Sequence, residues 1–119
     1  MKFRQVAIPV KDVARAVDFY TALIGAAPLA VFDPPGFAFF DMEGVRLFLD
    51  VNALPAFVYL EVPSVREKVE ALRTAGIKIL QDPHIIFPDP TGIFDIPGDE
   101  WLAFFEDSEG NRIGLMSRG

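Results

Sequence analysis

VAIPVKDVARAV at residues 6–17 and VYLEVPSVREKV at residues 58–69 align without a gap at an offset of 52. A second pair of stretches follows: AFFDMEGVRLFL at 38–49 matches AFFEDSEGNRIGL at 103–115 with one inserted residue, sharing the EG dipeptide and an Arg two residues after the Gly. Similarity at a fixed spacing is typical of a repeated structural unit. We therefore predict one unit present twice, with module 1 at about 1–54 and module 2 at about 55–119.

Each module is predicted to contain a strand, a helix and further strands, which is an α+β fold. The first helix is predicted to begin at Asp12 as N-cap, and the second at the capping box formed by Ser64 and Glu67. Gly25 and Gly76 are placed to end these helices. The EG dipeptides are predicted to form the turns between the last two strands of each module.

Composition predicts a single domain of residues 1–119 and excludes several classes of protein. A chain of 119 residues suits one core, and 51% apolar with 24% charged residues is typical of a globular protein. No apolar run approaches the ~20 residues of a membrane-spanning helix. The N-terminal sequence lacks the pattern of a signal peptide, so we expect a cytoplasmic protein. The net charge of −6 argues against a nucleic-acid partner and is compatible with a cationic ligand.

The alternation of side chains along the four clearest strands divides them into two faces. One set is aliphatic and is expected to pack under the helices: Val6, Ile8, Val10, Leu47, Leu49, Val51, Val58, Leu60, Val62, Ile113 and Leu115. The opposite set mixes charged, amide and aromatic groups: Gln5, Ala7, Arg46, Phe48, Asp50, Phe57, Tyr59, Glu61, Arg112, Gly114 and Met116. Such a mixture favours a small-molecule pocket. A dimer interface or a second small core is the alternative.

The proline-rich stretch from Asp82 to Glu100 is predicted to be a loop at the mouth of this pocket, because proline cannot donate a hydrogen bond within a central strand. Trp101 follows this loop directly, and we expect its ring to stack on a planar ligand. Ordinary packing is the alternative for this and the other aromatic residues.

VAIPVKDVARAVDFYTALIGAAPL near the start and FFEDSEGNRIGLM near the end resemble the glyoxalase/bleomycin-resistance/dioxygenase superfamily, also called the vicinal oxygen chelate superfamily. The resemblance implies tandem βαβββ modules that form a curved mixed sheet, a partly closed barrel, around a pocket, with the helices on the outer face. PHII followed by WLAFFEDSEGNRIGLMS is similar to small bacterial members described as glyoxalase-like or epimerase-like. Many members are homodimers, and we expect a homodimer here.

The resemblance also implies four metal-ligand positions, occupied by His or Glu in metal-dependent members. They fall here on Gln5 and Phe57 in the first strands and on Phe48 and Gly114 in the last strands. Three of these four residues cannot coordinate an ion, so we expect no metal at this site and no cofactor. The chain also contains no cysteine, which excludes zinc sites that depend on sulfur and thiolate catalysis.

Glu61 and His84 are the candidate catalytic residues. Burial among aromatic residues would raise the pKa of Glu61 or Asp50. His84 is the one histidine, and histidine is the residue type whose unperturbed pKa suits general acid/base catalysis near neutral pH. The alternative for the carboxylates, which we favour, is ion pairing with Arg46 or Arg112. His84 is alternatively an exposed or hydrogen-bonded loop residue, and a metal site built from both carboxylates and this histidine remains open.

Gln5 is predicted to be a buried amide in the middle of a strand, which must find hydrogen-bond partners. A ligand polar group is one possible partner, and a neighbouring strand side chain or a trapped water is the alternative. The predicted ligand-binding residues are Gln5, Arg46, Phe48, Asp50, Phe57, Tyr59, Trp101, Arg112 and Gly114.

Two functions remain open from these residues. The first is a protein that binds a small planar or cationic molecule in a metal-free pocket and thereby sequesters an antibiotic or a metabolite. The second is a lyase or isomerase, glyoxalase-like or epimerase-like, that acts on a small carbonyl or thioester substrate and uses side chains where relatives use a metal. Dioxygenase chemistry is disfavoured, because its iron ligands would come from the same positions.

Overall fold

The computed structural model describes residues 1–94 and 96–119, which contain two helices and eight strands. The elements are β1 (Gln5–Pro9), α1 (Val13–Ile24), β2 (Ala30–Phe32), β3 (Phe37–Met42), β4 (Val45–Asp50), β5 (Val58–Glu61), α2 (Val65–Thr74), β6 (Ile79–Asp89), β7 (Gly98–Glu106) and β8 (Arg112–Arg118). Their order is βαβββ repeated twice, as predicted. Neither helix in these residues is long and apolar enough to cross a membrane.

The chain divides into two compact units, each with one four-stranded mixed sheet. Unit 1 comprises residues 1–56 and 108–111, and unit 2 comprises residues 57–107 and 112–119. The strand order is β1-β4-β3-β2 in the first sheet and β5-β8-β7-β6 in the second. The pairs β1–β4 and β5–β8 are parallel, and all the other neighbouring strands are antiparallel. The predicted α+β class is confirmed, while closure into a barrel stays a prediction because each sheet is open.

Helix α1 supplies the core of unit 1 by packing against β3 and β4. Its N-cap is Asp12, as predicted, and the Asp12 side chain accepts a hydrogen bond from the Arg15 N–H. The helix ends at Gly25, whose φ of 80° is a left-handed conformation that glycine adopts without strain. Tyr20, only 1% exposed, packs near Phe40 with ring centroids 6.3 Å apart.

Helix α2 plays the same part in unit 2, where it packs against β6, β7 and β8. Ser64 is the N-cap, as the capping box predicted, and its hydroxyl accepts from the Glu67 N–H at 3.2 Å. The helix buries Val65, Val69 and Leu72, which recur at the spacing of one helical face.

The prediction of a loop from Asp82 to Glu100 is wrong over most of its length. Strand β6 continues to Asp89, and β7 begins at Gly98, so the described connection is residues 90–94, 96 and 97; residue 95, within the predicted loop, lies outside the described residues. Proline is tolerated because β6 is an edge strand, where one row of backbone groups needs no partner strand. One of the register shifts between β6 and β7, from Gln81 to His84, spans Pro83.

Candidate functional site

The strand register confirms the predicted division of each sheet into two faces. In the first sheet Val6 is opposite Leu47 on the helix-covered side, whereas Gln5 is opposite Arg46 on the other side. We call the side away from the helix the open face of each sheet. Val51 is the exception among the aliphatic residues, since it follows β4 and is 40% exposed.

Four aromatic rings form a phenylalanine cluster on the open face of the first sheet: Phe32, Phe37, Phe39 and Phe48. The rings of Phe39 and Phe48 are stacked, with centroids 4.7 Å apart and planes within 10°. Phe37 contacts Phe48, Phe39 and Phe32 at centroid distances of 5.6, 5.9 and 5.3 Å. Sequence reasoning found Phe48 and missed Phe32 and Phe37, although their alternation along β2 and β3 would have placed them on this face.

Arg46 and Gln5 form a hydrogen-bonded pair beside this cluster. Arg46 Nε donates to Gln5 Oε1 at 3.0 Å, and the Arg46 guanidinium carbon lies 5.9 Å from the centroid of the Phe39 ring. The prediction that Gln5 is buried in the middle of a strand is wrong, because it is exposed and is the first residue of β1. Of the partners considered for its amide, the neighbouring strand side chain is the one observed.

A cavity of about 440 Å³ in unit 1 lies against this pair. Its lining combines polar atoms of Gln5 and Arg46 with apolar side chains, including Phe32 and Phe39. A few polar groups within a largely apolar concavity of this size is the usual composition of a small-molecule site.

The open face of the second sheet has a different character. Tyr59 lies opposite Gly114, and a Cβ added at Gly114 would stand 2.5 Å from the Tyr59 Cδ1, so the glycine makes room for the ring. Arg112 lies over Phe104, with 4.5 Å from the guanidinium carbon to the ring centroid. Phe57 precedes β5 and is 69% exposed.

A second cavity of about 280 Å³ lies within unit 2 and carries carboxylates. Its lining includes Tyr59, Glu61, Glu100, Met116 and Arg118. Glu100 forms an ion pair with the Arg118 Nε at 3.2 Å, whereas Glu61 forms none with the described part of the chain.

The expected ion pairs of Asp50 and Glu61 with arginine do not occur among the described residues. Arg46 instead donates to Gln5, and Arg112 stacks on an aromatic ring. Asp50 accepts a hydrogen bond at 3.1 Å from the backbone N–H two residues later. The favoured alternative for the two carboxylates is therefore wrong, because closer neighbours engage both cations.

Trp101 is a correction to the predicted ligand site. It lies opposite Ser117, whose hydroxyl accepts from the Val65 N–H, so Trp101 belongs to the helix-covered side. The Arg66 guanidinium carbon lies 4.3 Å from its ring centroid, and its Nε1 donates to the Gly119 carbonyl at 3.3 Å. The face on which Trp101 lies depends on its pairing with Ser117 in the neighbouring strand, which its position after the predicted loop does not indicate.

His84 lies in strand β6, opposite Leu102, rather than in a loop. Its Nδ1 is 2.9 Å from the carbonyl oxygen of Asp82, and the residue is partly exposed. The structure therefore agrees with the alternative in which His84 is a hydrogen-bonded residue, although it lies in an edge strand and not in a loop. Within the described residues, no three His, Asp or Glu side chains gather as a ligand group. Asp50 belongs to unit 1, whereas Glu61 and His84 belong to unit 2, so the alternative metal site of these three residues stays a prediction.

The four positions that the resemblance implies for metal ligands carry side chains that do not suit a divalent ion. Phe48 stacks on another ring, Phe57 presents a phenyl group, and Gly114 has no side chain. The remaining position, Gln5, offers a neutral amide oxygen that already accepts from Arg46. Divalent ions bind through several carboxylate, imidazole or carbonyl groups, so this donor set does not hold one.

The largest pKa shift in unit 1 is that of Glu109, which lies in a turn and not in a strand of either sheet. Burial would raise the pKa of its carboxyl group, but hydrogen bonds from Arg15, the backbone N–H groups of Asp12 and Lys11, and Ser108 outweigh burial and lower it to about 2. The carboxylate accepts from the two backbone groups at 2.8 and 2.7 Å. In unit 2 the backbone N–H of Ile93 lowers the pKa of buried Asp89, which also receives a hydrogen bond from Arg118.

Comparison with known proteins agrees with this architecture. The sequence matches the family model described as "Glyoxalase/Bleomycin resistance protein/Dioxygenase superfamily" over residues 2–115. Comparison with curated protein sequences gave no match.

Similar solved structures cover nearly the whole chain at low sequence identity. Virulence protein STM3117 from Salmonella typhimurium has a TM-score of 0.73 and 15% identity, covering 100% of this chain and 98% of that chain. TioX from Micromonospora sp. ML1 has 0.72 and 20%, covering 100% of both chains. A superfamily member from Sphaerobacter thermophilus DSM 20745 has 0.71 and 18%, covering 98% and 96%. These identities support the fold alone, and the family model supplies the classification: the chain belongs to the glyoxalase/bleomycin resistance protein/dioxygenase superfamily.

Proposed function

We propose that this protein binds a small organic molecule on the open face of its first sheet without the help of a metal ion. The observation that supports the proposal is the phenylalanine cluster, which presents stacked rings beside a cavity of about 440 Å³. Aromatic rings on a sheet face give a planar molecule a large apolar contact area. Binding without turnover would sequester that molecule, whether an antibiotic or a metabolite, in keeping with the bleomycin resistance proteins in the superfamily's description.

Binding of planar probes to matched variants tests this proposal. Phe39→Leu removes a ring of the cluster, and Phe104→Leu removes the ring at the equivalent place in the second module. We expect naphthalene derivatives to bind the wild type, measured by NMR chemical-shift changes in chelator-treated protein. Phe39→Leu should weaken binding by about two- to tenfold, since an aromatic contact contributes about 0.5–1.5 kcal/mol beyond its buried area. Absence of binding by every probe, or weakening only by Phe104→Leu, would contradict the proposed site.

One observation favours the lyase or isomerase alternative. Glu61 lines the second cavity beside Tyr59 and forms no ion pair within the described part of the chain, so its carboxylate is accessible as a general base. Turnover of a carbonyl or thioester compound that is lost in Glu61→Gln would establish this function. His84 is the second candidate base, and His84→Gln is the corresponding variant.

The proposal also includes a cytoplasmic homodimer built from single-domain chains. Exposed apolar side chains on the edge strand β6 support an association between chains, since Ile85 and Ile86 are each 44% exposed. Sedimentation equilibrium tests the dimer, and a monomer at micromolar concentration would contradict it.

A further inference from the structure

Most of the N–H donors of the Arg46 guanidinium form no hydrogen bond with the residues that the structure describes. A guanidinium has five N–H donors, and only the Nε–H is engaged, by Gln5 Oε1 at 3.0 Å. The two terminal amino groups form no hydrogen bond or ion pair with the residues that the structure describes. They are the pair of groups with which arginine binds a carboxylate through two parallel hydrogen bonds.

Two carboxylates on the open face of the first sheet, those of Asp41 and Asp50, accept hydrogen bonds from backbone N–H groups and form no ion pair with Arg46. Asp41 lies opposite Arg46 in the register, but its Oδ1 accepts from the Gly44 N–H at 3.0 Å. Asp50, at the far end of β4, accepts from the Asn52 N–H at 3.1 Å. The positive charge of Arg46 is therefore not compensated by an ion pair in the first sheet.

The apolar surroundings of this cation define the rest of the ligand. The Arg46 guanidinium lies 5.9 Å from the Phe39 centroid, and Phe32, which is 47% exposed, lines the same cavity. A molecule whose anionic group contacts Arg46 therefore places its body against phenyl rings. Gln5 holds the guanidinium in position through its Oε1 and leaves its own amide N–H groups as further donors.

From these contacts we infer that the open face of the first sheet binds an aromatic carboxylate. Arg46 holds the carboxylate through its terminal amino groups, Gln5 orients Arg46, and Phe32 and Phe39 contact the aromatic ring. The single charge of a carboxylate matches the single guanidinium of the cavity. This inference rests on the proposed binding function and specifies its ligand class.

The test compares three probes that share one ring system and differ in charge: 2-naphthoate, 2-naphthamide and the 2-naphthylmethylammonium ion. Their affinities are measured by calorimetry for the wild type and for Arg46→Met. Arg66→Met is the matched control, because Arg66 also lies over an aromatic ring, at 4.3 Å from Trp101, but on the helix-covered side. Circular dichroism and melting temperature establish that each variant is folded.

We expect the wild type and Arg66→Met to bind 2-naphthoate at least about tenfold more tightly than the amide, as a charged hydrogen bond implies. Arg46→Met should lose this preference while its affinity for the amide stays unchanged. The preference in the wild type is informative even if Arg46→Met does not fold.

Equal binding of the acid and the amide, or tighter binding of the ammonium ion, overturns the carboxylate inference and leaves the proposed binding function standing. A preference for the acid that persists in Arg46→Met overturns the role of Arg46. Failure of all three probes to bind overturns the proposed binding function itself.

Discussion

Replacing Glu109 by Gln keeps the shape of the side chain and removes its charge. The Glu109 side chain is fully buried and accepts hydrogen bonds from Lys11, Asp12, Arg15 and Ser108, and it ties residues 108–111 to the start of α1. These bonds lower its pKa from 4.5 to about 2. A shift of that size corresponds to roughly 3 kcal/mol of folding free energy at neutral pH. We therefore expect Glu109→Gln to lose about 3 kcal/mol at pH 7.

The pH dependence follows from the direction of this shift. Because the folded pKa is depressed, the contribution is complete above the unfolded value of 4.5 and is lost as the pH falls toward about 2. The difference in unfolding free energy between wild type and Glu109→Gln should narrow progressively below pH 4.5. Urea denaturation followed by circular dichroism at pH 7, 4 and 3 measures it.

The internal repeat supplies a matched control for this variant. Glu43 occupies the same position of the EG turn in the first module, but it is exposed. Glu43→Gln should change stability by less than about 0.5 kcal/mol, as is usual for surface substitutions. The reasoning is refuted if Glu109→Gln is as stable as Glu43→Gln at pH 7, or if its deficit is the same at pH 3 as at pH 7.

Two further predictions concern unit 2. Gly114→Ala places a Cβ 2.5 Å from a tyrosine ring and should destabilise the fold by about 1–3 kcal/mol, whereas Gly119→Ala, with open space around it, should be neutral; chemical denaturation of both variants distinguishes these outcomes. Asp89→Asn removes the negative charge that accepts hydrogen bonds from Ile93 and Arg118, so we expect it to melt at a lower temperature than the control Asp18→Asn, whose residue is exposed. The difference in melting temperature should shrink at acid pH, because protonation of Asp89 in the wild type removes the same charge. Equal melting temperatures of the two variants would contradict this role of Asp89.

Local signals explain why the element order was predictable. The N-terminal ends of both helices, at Asp12 and Ser64, were predictable because each capping side chain accepts a hydrogen bond from a residue only three positions later. Strand faces were found for the same reason, since alternation is a property of each strand alone. The strand at Asp82–Asp89 was missed because proline content predicts a loop, and only the sheet order reveals that this segment lies at an edge.

The sequence predicted which face a site residue lies on where the alternation within its own strand was enough to decide this. Arg46 and Phe48 were placed on the open face by their parity in β4, and the register agrees. Their partners depend on other strands: the hydrogen bond to Gln5 comes from a parallel neighbour distant in sequence, and it replaced the expected ion pairs. The burial of Glu109 and its hydrogen bonds to the start of α1 could not be predicted either, because its turn has the same EG dipeptide as the exposed turn of the first module.

The bond from Glu109 to the start of α1 joins groups 97 residues apart along the chain, and this separation imposes an order on biosynthesis. When a ribosome makes the protein from its N-terminus, the first helix emerges long before the carboxylate that completes its N-terminal end. In the nascent chain, the N–H group at the start of the first helix therefore lacks its Glu109 partner until the turn between β7 and β8 has been translated. The two halves are similar in sequence, and each helix has its own N-cap, Asp12 or Ser64. The first helix differs in that its start also donates to Glu109, a residue that is translated near the end of the chain.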